Sequence, residues 1–178
     1  MREVISRSDN DQQKRPLLAL VDNASVDEVL ALETVPLGVE SPIRVLHRMI
    51  VTQASGKISI SDPHDPSVLW QIFVGNGQIH FATCASAQQE RLDYFLSFAC
   101  IGLPSTALNK ATDYQFLCSQ WQAGRLTLDQ LRSVLILITQ DALVQVLKLS
   151  KAEVRVDRQL GLGSLLMSLP IVNYCPRP

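Results

Sequence analysis

The sequence predicts an α+β domain in which a small antiparallel sheet, a three-stranded meander plus a later strand, packs against several helices including one long core helix. Three observations carry that expectation. Apolar spacing switches from helical to alternating near Lys57, two strand-like segments flank Gly75-Asn76-Gly77, and a helical apolar stripe runs from Leu131 to Val146. A chain of 178 residues has room for one domain with a substantial core and loose ends.

The first fifteen residues (1–15) are polar and charged with little to bury, so they are expected to form a disordered tail ahead of a folded domain over 16–165. Leu17 to Val21 followed by Asp22 imitates the first strand and acid of a phosphate-accepting receiver. Neither a second adjoining acid nor a strand–helix alternation follows, so a short apolar lead-in is the better reading. Ser25 offers an N-cap to a helix over Val26–Glu33, with Asp27 and Glu28 suiting its positive end.

Ser41 and Pro42 mark the next helix start, since Pro at the first helical position lacks only an N–H that would be unpaired anyway. Ile43, Leu46, Met49 and Ile50 fall on one face and Arg44, His47 and Arg48 on the other, either a solvated face or a dock for an acidic partner. Gly56 is expected to end that helix. Ile58 and Ile60 then alternate with Ser59 and Ser61 as a strand, and Asp62 to Ser67 carries turn formers. Strands over Val68–Val74 and Gln78–Cys84 enclose a tight hairpin whose positive φ angles Gly75-Asn76-Gly77 would supply.

Helical spacing returns over Ser86–Ile101, with Leu92, Phe95, Leu96 and Ala99 inward and Gln88, Gln89 and Asp93 outward. A further helix is expected over Thr112–Ala123, closed by Gly124. Thr127 caps the longest helix, to Leu149, roughly 33 Å at 1.5 Å per residue, with Leu131, Leu135, Ile138, Ala142 and Val146 as the core spine. Ala152–Arg158 alternates again as a fourth strand, Val154 and Val156 inward and Arg155 outward. Residues 166–178 lose the pattern and read as an irregular, truncated end.

Composition excludes several functions. Sixteen Lys and Arg against seventeen Asp and Glu, without a long basic run, argue against nucleic acid as a partner. No purely apolar run is longer than that of Val134–Ile138, which falls far short of the roughly 20 residues of a membrane span. The N-terminus lacks the apolar stretch of a secretory signal, so a cytoplasmic location is expected. Cys84, Cys100, Cys118 and Cys175 have no zinc-type spacing and read as reduced thiols.

Catalytic motifs are missing too. The sequence holds no Gly-rich phosphate loop, no G-x-S-x-G and no H-E-x-x-H, so neither an enzyme nor a cofactor is expected. His80 and Cys84 are too far apart on one strand, about 13 Å, to act as base and nucleophile. His64 and Asp65 lack a third metal ligand. Trp70, Phe73, Phe81 and Tyr94 are either core or an aromatic platform, and the opposite parity of Trp70 and Phe73 puts those two on different faces of their strand.

From Gly56 to Leu96 the residues become specific. The runs GKISISDP, WQIFVGNGQIHFAT and QERLDYFL resemble the PATAN domain, the N-terminal module of PatA-like cyanobacterial response regulators. The family's Gly-led strand, Trp-bearing strand, G-x-G hairpin, Ala-Thr strand end and E-R-L helix start match Gly56, Trp70, Gly75 with Gly77, Ala82-Thr83 and Glu90-Arg91-Leu92. The resemblance implies a regulatory, protein-binding module of two-component signalling, of the kind that controls pilus-based motility or cell patterning, with signalling or pilus-motor proteins as partners. A receiver domain usually follows in that family, and these 178 residues are expected to form an isolated or truncated interaction domain. Trp70, His80, Arg91 and Tyr94 are the candidate partner-binding residues, with no phosphoacceptor and no metal site. The alternative is a small-molecule sensor with a pocket between sheet and helices.

Overall fold

The computed structural model describes residues 35–103, 111–160, 162 and 166–170. The expected N-terminal tail, the lead-in at Leu17–Asp22, the helix over Val26–Glu33 and the end of the chain from 171 lie outside the described residues. The protein is α+β as predicted. Six strands, β1 (Val35–Glu40), β2 (Gly56–Ser61), β3 (Leu69–Gly75), β4 (Gln78–Cys84), β5 (Ala152–Asp157) and the two-residue β6 (Leu169–Pro170), form one sheet in the order β1-β5-β2-β3-β4-β6. Every pairing is antiparallel. The helices are α1 (Pro42–Val51), α2 (Gln88–Phe98), α3 (Asp113–Gln122) and α4 (Leu128–Val146).

The meander β2-β3-β4 and its pairing with the later strand β5 follow the sequence reading, and the structure places β5 on the free edge of β2. The hairpin between β3 and β4 turns on two residues, Asn76 and Gly77, with φ of 51° and 70°, the positive pair that a type I′ turn requires. Gly75 has no such φ. It is small for another reason, because a Cβ there would lie 2.6 Å from Nε2 of His80. The sheet is wider than expected by β1 and β6. Pro36 and Gly38 disguise β1, and its register slips between them, features that an edge strand tolerates.

Helix ends also differ in detail. Ser41 occupies the N-cap of α1 without a side-chain hydrogen bond. Gly56 does not end α1. The helix closes on Gln53, whose N–H donates to the Ile50 carbonyl while that of Ala54 donates to Met49, the paired bonds of a Schellman turn. Gly56 instead opens β2, where a Cβ would meet the Asp157 carbonyl oxygen at 2.4 Å. Helix α2 starts after Ala87, because Ser86 spends its hydroxyl on the Ser67 carbonyl 2.6 Å away. The capping of α4 by Thr127 holds and is reciprocal. The Gln130 N–H donates to Thr127 Oγ1 and the Thr127 N–H to Gln130 Oε1. With 19 residues α4 is roughly 28 Å long, shorter than expected at its C-terminal end.

Period-two alternation sorts the sheet residues into two buried clusters. Ile58, Ile60, Trp70, Ile72, Val74 and Val154 pack with Val45, Leu46 and Met49 of α1. Phe73 and Phe81 face the opposite way, toward Leu92 and Leu96 of α2, Leu117 of α3 and Leu131, Leu135 and Ile138 of α4. Helix α4 joins both, its first turns in the second cluster and Ala142, Leu143 and Val146 in the first. It runs beside β4, where Thr139 Oγ1 accepts the Ala82 N–H at 3.2 Å. One backbone N–H of β4, beyond the short stretch that β6 pairs, is thereby satisfied by a helix side chain.

Candidate functional site

The four sequence-predicted residues fall into two groups, separated by burial. Trp70 is 4% exposed and His80 8%, so neither presents itself to a partner. Phe73 is buried as well, so no aromatic of β3 is left over for a surface patch. Trp70 and Phe73 do occupy opposite faces, as their parity requires.

His80 sits where the β3–β4 register slips, between the pairs Phe73↔Phe81 and Val74↔Ile79. The bulge turns its ring over Gly75 and toward the C-terminal segment, whose Met167 carbonyl oxygen lies 3.1 Å from Nδ1. A carbonyl only accepts, so the bond requires the proton on Nδ1. Arg132 Nε donates to the Leu166 carbonyl, the Leu166 N–H donates to the Tyr114 hydroxyl, and Ser168 bonds Gln78. Residues 166–170 are thus strapped across β4 and α4, and His80 serves that strap.

Trp70 and Arg91 belong to one polar chain. The Trp70 indole N–H donates to Gln145 Oε1 at 3.3 Å, and Gln145 Nε2 donates to Asp141 Oδ2 at 2.9 Å. The same carboxylate oxygen receives Arg91 Nη2 at 2.7 Å, while Arg91 Nη1 donates to the Cys84 carbonyl at 3.0 Å. Arg91 therefore ties α2 to α4 and to the end of β4. Its guanidinium also lies 6.0 Å from the Phe95 ring centre.

One turn along α2 from Arg91, the surface becomes aromatic. Tyr94 is 64% exposed and Phe98 65%, and their rings stack with centres 6.4 Å apart. Tyr94 also meets the buried Phe95 edge-on at 5.3 Å, so the outer pair stands on a ring held in the core. Phe98 was not among the predicted residues. Its spacing of four from Tyr94 was the available signal, since such positions are neighbours on a helix surface.

Asp113, also unpredicted, is buried at the start of α3. Its Oδ2 accepts the Thr83 hydroxyl at 2.8 Å, and its Oδ1 has no hydrogen-bond partner among the described residues. Burial raises its pKa above the ordinary carboxylate value, against the opposing pull of the Thr83 hydrogen bond and the Arg91 charge. Burial likewise raises the Cys118 thiol, which disfavours a reactive thiolate. Among the described residues no three His, Cys, Asp or Glu side chains gather as metal ligands, and no helix is long and apolar enough to cross a membrane. No family model, curated protein or solved structure matches the chain.

Proposed function

We propose that this chain is a cytoplasmic protein-interaction module of response-regulator signalling that binds a signalling or pilus-motor protein through the outer face of α2. The observation that carries the reading is the stacked, exposed Tyr94–Phe98 pair. Aromatic rings with few rotatable bonds, mounted on a helix already fixed by a core ring and an ion pair, lose little entropy on binding and bury much area. Arg91, anchored by Asp141, holds that face in place and borders it with charge. Trp70 acts at one remove, through Gln145, on the same anchor. The signalling context comes from the resemblance of Gly56–Leu96 to the PATAN pattern.

The test is a titration of the wild-type chain and a Tyr94→Ser/Phe98→Ser double variant against a purified receiver domain and a purified pilus-motor protein. The reading expects one of these to bind the wild type, and the double variant to lose that binding while melting at the same temperature. Equal binding by both chains would remove α2 from the interface.

A further inference from the structure

A second surface feature lies on the other side of the sheet's chemistry. Between the later turns of α1 and the strands β1 and β5 there is a cleft of about 410 Å³, within the size range of small-molecule sites. Its walls are apolar: Val45 and Met49 from α1, Leu37 from β1 and Val156 from β5. Thr52, Ala54 and Ser55 line the end of the cleft just after α1, and two exposed guanidinium groups, Arg48 and Arg158, border it.

The two cations are not equivalent. Arg48 is already paired, with Nη2 3.1 Å from Glu40 Oε1. Arg158 pairs with none of the described residues. An apolar cleft bordered by one unneutralised guanidinium suits a molecule with an apolar body and a single anionic end. A carboxylate matches the planar fork of an arginine with two parallel hydrogen bonds. The half-buried Leu37 and Val156 would gain apolar contact on being covered.

We infer that this cleft binds an organic monocarboxylate with an unbranched apolar chain, the chain between α1 and the β1–β5 edge and the carboxylate on Arg158. No residue of α2 lines the cleft, so this inference and the α2 interface stand or fall separately.

Decanoate, kept below its micellar concentration, is the probe, titrated into the full chain by calorimetry and by methyl NMR of Leu37, Met49 and Val156. Saturable binding with shifts confined to those methyls is expected. Decanol, which has the chain without the charge, should bind about tenfold more weakly or worse, and Arg158→Glu should weaken decanoate by a similar factor. Leu37→Trp, which fills the cleft from its half-buried side, should abolish binding. If Arg158→Glu does not fold, Arg158→Gln takes its place. Absence of saturable binding to the wild type, equal affinity for decanol, or undiminished affinity in the arginine variant would each overturn the inference.

Discussion

Asp113 is the residue at which the fold works hardest against electrostatics. An acid at the first position of a helix is ordinarily favourable by about 0.3–1 kcal/mol, and α3 does place one there. Here the carboxylate is buried and one oxygen has no partner among the described residues, so desolvation wins and the folded pKa is raised. The folded state then binds a proton more tightly than the unfolded chain. Stability therefore falls as pH rises from the ordinary carboxylate value through the raised one, and the loss persists above it. Asp113→Asn keeps an acceptor for Thr83 and removes the charge. It should leave the protein at least as stable as wild type at neutral pH and flatten the decline, as read from urea midpoints across the range from about pH 4 to about pH 8.

Gln53 offers a backbone counterpart. It closes α1 at φ 50°, a conformation costing a side-chain-bearing residue about 1–2 kcal/mol, part of which glycine gives back in unfolded-state entropy. Gln53→Gly should raise the urea midpoint by the equivalent of about 0.5–1 kcal/mol with an unchanged slope. A lowered midpoint would show that the glutamine makes a stabilising interaction.

At the scale of elements, the decisive relation is between α4 and β4. Helix α4 has a buried stripe as any amphipathic helix would, but Thr139 adds a function that its stripe does not reveal, accepting a backbone N–H from the strand beside it. Thr139→Val preserves shape and removes the acceptor, leaving the Ala82 N–H buried and unpaired. Equilibrium denaturation should show a loss of about 1–3 kcal/mol, and Thr139→Ser, which retains the oxygen, should lose less. The elements most legible in sequence were those set by local chemistry: the Asn76-Gly77 hairpin, the Thr127 cap and the Leu131-to-Val146 stripe. Strand β1 was not, because Pro36 and Gly38 interrupt its alternation and only pairing with β5 makes it a strand. The end of α1 was misplaced because Gln53, not the nearby glycine, adopts the left-handed turn.

For the whole molecule, one sheet separates two apolar clusters, and such an arrangement could unfold in two stages. Helix α4 argues against that, since its two ends belong to different clusters. Ile60→Ala in the first cluster and Leu135→Ala in the second should each cost about 2–5 kcal/mol. Each should shift a single transition, seen alike by fluorescence from Trp70 in the first cluster and Trp121 beside the second and by far-ultraviolet circular dichroism. Separate transitions for the two mutants would mean that α4 does not couple the clusters.

By itself the sequence determined the α+β class, the meander, the long helix and the absence of familiar catalytic patterns, because turn chemistry and apolar period act over a few neighbouring residues. Only the tertiary structure decided that Trp70 and His80 are buried, that Arg91 reaches Asp141 fifty positions away, and that Phe98 joins Tyr94 in the open. The physical reason is that burial belongs to a surface and its cover. Covers for β3 and β4 come from all four helices, α3 and α4 among them from well down the chain, whereas nothing among the described residues covers the outer face of α2 at Tyr94 and Phe98.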